Sequence, residues 1–328
     1  MLRRRAVSFR LPAALVALAV AAVGAAACTP AGAQQNPGWA IATPAGSGGA
    51  PGATPAAQAA TVVPVIISGE QVLGANRFVF SFLDAKTNLP AAGPDRTVSV
   101  AFIAPGETQP GTAVPAEFVW AIEGSRGEYV ARTDFPAAGD WRAIFVTQAP
   151  NDPKEAIGIQ FKVLEHGTTV AVGDKAPASR TLTLADVGGD VRQISTDAKP
   201  DPDFYRTSVA DAVAAGKPFV LVFATPAFCQ SAQCGPTLDR VKKVKAAAPA
   251  DVEFINVEPY QLASTDGRLQ PVLDAKGQLQ SVPAVDEWKI LTEPWIFTVD
   301  GGGIVRGSFE GVASEQELGD AVKAISGT

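Results

Sequence analysis

Cys229 and Cys234 are the residues of this chain whose type and spacing can do chemistry. They stand in residues 218–236, PFVLVFATPAFCQSAQCGP, where the apolar run 219–223 reads as a buried strand, a short loop follows, and a helix is about to begin. Thiols at such a junction can exchange with other disulfides: one thiolate attacks, and the other resolves the mixed intermediate. Gln230, Ser231, Ala232 and Gln233 separate the two. On a continuous α-helix that spacing spans about 8.6 Å between Cα atoms, beyond the roughly 7 Å a disulfide tolerates. A bond between them therefore needs a non-helical loop. Gly235-Pro236 supports one, because proline is comfortable in a first helical turn and poorly placed deeper in. The expectation is that Cys234 lies just before, or within the first turn of, a helix whose N-terminus favours its thiolate, which leaves open whether Cys229 or Cys234 is the attacking sulfur.

The N-terminus sets the redox compartment. Arg3, Arg4 and Arg5 precede a short apolar stretch over 11–24, and Ala25-Ala26-Ala27-Cys28 closes it with small residues. This is the pattern of an export signal, too short in its apolar part for a comfortable membrane span. Ala25-Ala26-Ala27-Cys28 resembles the lipobox of bacterial lipoproteins. That resemblance implies a signal over 1–27, lipidation of Cys28 and an extracytoplasmic protein anchored to the membrane by its lipid; an ordinary cleavable signal ending near Ala27 or Ala33 is the alternative. With Cys28 in the anchor, Cys229 and Cys234 are the only cysteines left, and in an oxidising compartment they are each other's natural partners. Residues 28–60, rich in Ala, Gly, Pro, Thr, Ser and Gln, have little to bury and read as a disordered tether with a reach of about 30 Å.

The 328 residues carry a net charge of -6, which argues against nucleic-acid or anionic-lipid surfaces as partners. One histidine, and no methionine beyond the initiator, leave few ligands for a soft metal, and no cofactor is expected. Over 61–165 the periodicity is two. Phe78, Phe80 and Phe82, then Val98, Val100 and Phe102, then Phe118, Trp120 and Ile122 mark strands with one buried face, separated by Gly, Pro and Asn turns. About seven strands suggest an all-β immunoglobulin-like sandwich. The stretch GEYVARTDFPAAGDWRAIFV also resembles small extracytoplasmic sandwich domains of the YtkA-like kind. His166, which follows at once, reads as an ordinary surface residue.

From Val170 onward a second resemblance covers residues 166–328. VGDKAPASRTLTLADVGGD is similar to the lead of the ResA-like and peroxiredoxin branch of the thioredoxin superfamily. A helix over 208–215, the strand over 219–223, the cysteines, a helix over 236–248, a strand over 252–257, the EPWIFTVD…GIVRGSFEG hairpin and a capped helix over 314–325 follow in that family's order. The resemblance implies an α/β thioredoxin-like domain, a cis bond before Pro294, Cys229 as the attacking and Cys234 as the resolving cysteine. The family's buried Asp on the strand before the cysteines is missing here, which makes Glu293 the nearest candidate proton acceptor. Phe228 and Trp295 flank the sulfurs as either rim or core.

Three functions compete. The first is a membrane-tethered thiol-disulfide oxidoreductase acting on protein thiols or disulfides, supplied with electrons by a redox partner protein. The second is a binding lipoprotein whose Cys229-Cys234 bond is structural. The third is peroxide or copper chemistry. The peroxiredoxin Pro and Thr are absent at the required spacing before either cysteine, and no histidine follows His166 to complete a Sco-type copper site. Residues 262–292 form an insertion that reads as a flap over the cysteines or as a surface excursion.

Overall fold

Alternating aromatic side chains build the first half of the computed structural model, which describes residues 60–327. The export signal, Cys28 and the tether up to residue 59 lie outside the described residues. Nine strands run β1 (Val62–Ile66), β2 (Gln71–Val72), β3 (Gly74–Asp84), β4 (Thr97–Ile103), β5 (Val114–Pro115), β6 (Glu117–Ile122), β7 (Arg126–Phe135), β8 (Gly139–Gln148) and β9 (Glu155–Leu164). They form two sheets, β1-β3-β7-β6 and β2-β9-β8-β4-β5. Phe78, Phe80 and Phe82 of β3 enter one core with Phe102, Phe135, Trp141 and Phe145. Most of these rings meet edge-on or tilted, as Phe78 on Phe102 at 5.1 Å does, while Phe78 stacks on Phe145, both arrangements the ring quadrupoles favour.

The first sheet is not solvated on its other side. Val79, Val119, Ala121 and Val130 point away from the aromatic core and close over Val312, far along the chain. Strands expected to have one buried face therefore have two where the C-terminal half docks on them.

After β9, three 3-10 turns over Leu184–Val187, Val191–Gln193 and Pro202–Tyr205 lead into α1 (Val209–Ala214) and β10 (Phe219–Phe223). Then come α2 (Cys234–Ala246), β11 (Glu253–Val257), β12 (Leu262–Thr265), β13 (Arg268–Pro271), α3 (Pro283–Trp288), β14 (Trp295–Val299), β15 (Val305–Glu310) and α4 (Glu315–Ile325). A four-stranded sheet, ordered β11-β10-β14-β15, pairs β10 with β11 in parallel and with β14 antiparallel. All five residues of β10 are buried, which its unbroken apolar run requires. Val220 and Val222 pack with Leu238 and Val241 of α2 and Leu318 and Val322 of α4. Phe219, Leu221 and Phe223 pack on the opposite face with Ala212 of α1 and Trp288 of α3. Ser314 and Glu317 close a capping box on α4, the sequence signal for its start. The insertion over 262–292 is a β12–β13 hairpin followed by α3, whose Trp288 is wholly buried and donates to Ser179 Oγ at 3.2 Å.

The expected fold class, an α/β thioredoxin-like domain after an immunoglobulin-like sandwich, is corrected to a mostly β chain. Among the described residues strand takes 37% and helix 18%, the 3-10 turns included, and the four α-helices are small. The physical reason lies in the connections. The lead over 170–208, broken by Pro, Gly and Asp, forms three short 3-10 turns among otherwise irregular chain. The α-helices that do form are short: α1 and α3 have 6 residues each, α4 has 11 and α2 has 13, and a side chain caps the start of α1 and of α4 alone.

Buried polar contacts join the halves. Arg77 of β3 donates from Nε and Nη2 to the two carboxylate oxygens of Glu317 at 2.8 and 2.9 Å, and from Nη2 to the Val312 carbonyl at 2.6 Å. Glu310 accepts the Gly69 N–H at 2.7 Å.

Candidate functional site at the Cys229-Cys234 loop

Sheet topology alone brings the candidate residues to one edge. β10 ends opposite the start of β14, with Phe223 paired to Trp295, so the loop leaving β10 lies beside Pro294. β11 runs parallel to β10 and ends at the same edge, which delivers Glu258 and Tyr260 there.

The loop is two tight turns. Phe228 N–H donates to the Thr225 carbonyl at 3.2 Å and Ala232 N–H to the Cys229 carbonyl at 3.3 Å. Ala232 takes the left-handed region at φ 60°, a conformation that costs an L-residue about 1–2 kcal/mol and that turns the chain back before the helix. As a result Cys229 and Cys234 come to a Cα–Cα distance of 5.9 Å and are joined by a disulfide. Helix α2 begins at Cys234 itself, two residues before the sequence reading placed its start, with Pro236 inside the first turn.

The two sulfurs differ sharply in access. Cys234 is wholly buried, packed among Val222, Leu238 and Phe309, whereas Cys229 is half-buried at the rim. No side chain caps α2 at Gln233; the Cys234 N–H donates instead to Cys229 Sγ at 3.2 Å. Ser231 Oγ stands 3.3 Å from the same sulfur. A thiolate released at Cys229 would inherit both contacts and the positive end of α2.

Glu293 lies opposite, its carboxylate within 4.8 Å of both sulfurs. Its peptide bond to Pro294 is cis. The Gln230 N–H reaches its Oε1 at 3.4 Å, and Ser231 Oγ donates to its carbonyl at 3.4 Å. Burial raises its carboxyl above the usual glutamate range, and hydrogen bonds from the Tyr260 hydroxyl and the Gln230 N–H only partly offset that. Such a group is poised to give a proton to a leaving thiolate or take one from a thiol. Cys229, Cys234 and Glu293 are also the one group of three potential metal ligands among the described residues, but sulfurs bonded to each other are not thiolate ligands, so only the reduced form offers that set.

Several residues that the sequence reading did not single out hold the loop. Arg126 of β7 donates to the Ser231 carbonyl at 2.7 Å, Gln233 Nε2 donates to Glu128 Oε1 at 2.7 Å, and Arg240 of α2 donates to the Trp120 carbonyl at 2.7 Å. The β6–β7 hairpin of the first half thus grips the cysteine segment from outside. Glu128 is fully buried; burial raises its carboxyl most, and Gln233, Arg77 and Arg126 work against that. Behind the loop, Thr196 Oγ1 donates to Glu258 Oε1 at 2.7 Å and accepts the Ala227 N–H at 3.2 Å, and burial raises the Glu258 carboxyl as well. Nothing in the local sequence of Glu128 marks it; it is one acidic residue in a strand, and only docking of the halves buries it.

Of the expected flanking aromatics, Trp295 is core: it packs with Phe297 and donates to Ser308 Oγ at 2.9 Å. Phe228 is half-buried beside Cys229, and His166 is exposed after β9. Among the described residues no helix is long and apolar enough to cross a membrane.

No family model matches this chain, and no curated protein matches it. Among solved structures it is similar to a DUF4426 family protein from Pseudomonas aeruginosa PAO1, at 14% identity and TM-score 0.20, over 29% of this chain and 77% of that one. A putative glycoside hydrolase from Bacteroides vulgatus ATCC 8482 is similar at 12% identity and TM-score 0.21, over 65% of this chain and 34% of that one.

Proposed function

We propose that this protein is a thiol-disulfide oxidoreductase working on protein thiols or disulfides through Cys229 and Cys234. The observation that carries the reading is the asymmetry of the bond: a partly exposed Cys229, whose sulfur takes the Cys234 N–H, joined to a wholly buried Cys234, with the Glu293 carboxyl in reach of both. From the disulfide form, a client thiolate attacks Cys229 Sγ and the Cys229-Cys234 bond breaks. Cys234 leaves as a thiolate and takes a proton from Glu293. A second client thiolate then attacks the client sulfur of the mixed disulfide and releases Cys229 as a thiolate, stabilised at the helix N-terminus. The two client thiolates form one disulfide and give up two electrons, which the protein holds as the Cys234 thiol and the Cys229 thiolate; the protons of the client thiols go to water, from which Glu293 is reprotonated. Reduction of a client disulfide is the same sequence run backwards. Turnover needs a second protein dithiol or disulfide to reset the pair, and the N-terminal pattern ending in Cys28 would hold the protein at the outer face of a membrane.

The test is catalysis of exchange by the full chain, followed as reduction of insulin by dithiothreitol and as refolding of reduced ribonuclease. Acceleration that is lost in Cys229→Ser supports the reading. Rates equal to those of dithiothreitol or glutathione alone would leave a structural bond in a binding protein as the better account.

A further inference from the structure

A cavity of about 350 Å³ opens between the two halves beside the disulfide. Val65 and Leu83 line it from the first sheet, and Ser231 and Pro294 from the cysteine side, with Glu128 and Glu310 in its wall. Glu128 is 0% exposed and its Oε1 is held by Gln233, yet its Oε2 has no hydrogen-bond partner. A buried acceptor left unpaired costs on the order of 1–3 kcal/mol, so a donor brought into the cavity beside it gains by pairing with it. Arg126 is committed to the Ser231 carbonyl, and Arg77 spends Nε and Nη2 on Glu317 and the Val312 carbonyl while its Nη1 is buried without a partner. Glu310 is likewise occupied by the Gly69 N–H and the Thr292 hydroxyl. The cavity therefore offers apolar walls, a carboxylate oxygen at its wall without a partner, and an excess of negative charge. An aliphatic stem ending in a cationic donor satisfies all three, as the side chains of Lys and Arg do.

We propose that this cavity is the client groove of the exchange reaction and selects an extended polypeptide segment carrying Lys or Arg beside its reacting cysteine, read by Glu128. The inference rests on the oxidoreductase reading and gives it a substrate class. It also gives the first half of the molecule a role, since Glu128, Val65 and Leu83 all come from its sheet.

The probe is a set of hexapeptides with one cysteine, held as a mixed disulfide with 5-thio-2-nitrobenzoate, and with Lys, norleucine or Glu next to the cysteine. The reduced full chain attacks through Cys229; the peptide sulfur bonds to Cys229 and thionitrobenzoate leaves as a coloured thiolate. Cys234 then displaces the peptide thiolate and restores the internal disulfide. The expected order of rate constants is Lys, then norleucine, then Glu, with Lys over norleucine by about tenfold, the worth of one charge-assisted hydrogen bond. In Glu128→Gln that ratio falls to about one. Leu83→Trp, which fills the groove from its outer wall, slows the peptides relative to the small symmetric reagent 5,5′-dithiobis(2-nitrobenzoate). Equal Lys and norleucine rates in the unaltered chain, or a preference that survives Glu128→Gln, would overturn the groove assignment while leaving exchange intact. Should Glu128→Gln not fold, the order of rates in the unaltered chain decides. If no peptide reacts faster than it does with free dithiothreitol, the oxidoreductase reading itself fails and the groove with it.

Discussion

Replacing Arg77 by Ala should cost about 3 kcal/mol of stability. The side chains of Arg77 and Glu317 are 11% and 9% exposed, and they meet through two hydrogen bonds while a third ties Arg77 to the Val312 carbonyl. Removing the guanidinium leaves a buried carboxylate and a carbonyl short of their donors, the situation in which breaking a buried pair costs about 3–5 kcal/mol. The lower end applies because Glu317 keeps a second cation, Arg132, whose side chain is 64% exposed and screened by water. Urea denaturation of the full chain, followed by tryptophan fluorescence, measures the loss, and Glu317→Ala with the double variant completes a cycle whose coupling energy should exceed 1 kcal/mol. pH supplies a second readout. Burial alone would raise the Glu317 carboxyl, but the bonds and charge of Arg77, with Arg132, hold it below the usual glutamate range. A depressed acid contributes stability above its unfolded pKa and loses it as pH falls through the folded one. The gap between the unaltered chain and Arg77→Ala should accordingly close in acid. Single variants within about 1 kcal/mol of the parent, the range of exposed ion pairs, would refute the idea that this contact joins the halves.

The buried Glu128 has the opposite sign. Its carboxyl is raised, so whatever it contributes is present below the ordinary glutamate pKa and is lost as pH rises through its raised value. Glu128→Gln, which can still accept from Gln233, should therefore gain stability relative to the parent as pH rises above the ordinary glutamate pKa in the same denaturation assay. After reduction, iodoacetamide should modify Cys229 at least about tenfold faster than the wholly buried Cys234, read by mass spectrometry of tryptic peptides. Equal labelling would show that the loop opens freely. Glu293→Gln should slow exchange by about 10²-fold, the low end for a proton-transfer group, and should remove from the pH profile the inflection that its raised carboxyl creates.

Much of the scaffold around the cysteines is visible in local sequence. The apolar run at β10, the Ser314 and Glu317 capping pair and the turn residues between strands act over a few positions, and each appears as a structural boundary within a residue or so. The spacing argument also has a structural counterpart: four intervening residues require a non-helical loop, and Ala232 at φ 60° makes it. What sequence hides is long-range. The outward residues Val79, Val119 and Val130 read as ordinary strand residues until Val312 covers them. Gln233 and Glu128 are 105 positions apart, and no local pattern links them. The expected fold class fails because the order of short elements says little about how much of the chain is helix, and among the described residues strand predominates.

The most direct test of the account is the reduction potential of the Cys229-Cys234 pair in the full chain. Equilibration in glutathione and dithiothreitol buffers, followed by thiol trapping and mass spectrometry, measures it. An exchange enzyme with an accessible Cys229 sulfur predicts a value between about -120 and -270 mV, the range of working oxidoreductases. A value below about -300 mV, with thiols that resist trapping, would mark a structural bond and contradict the proposed function.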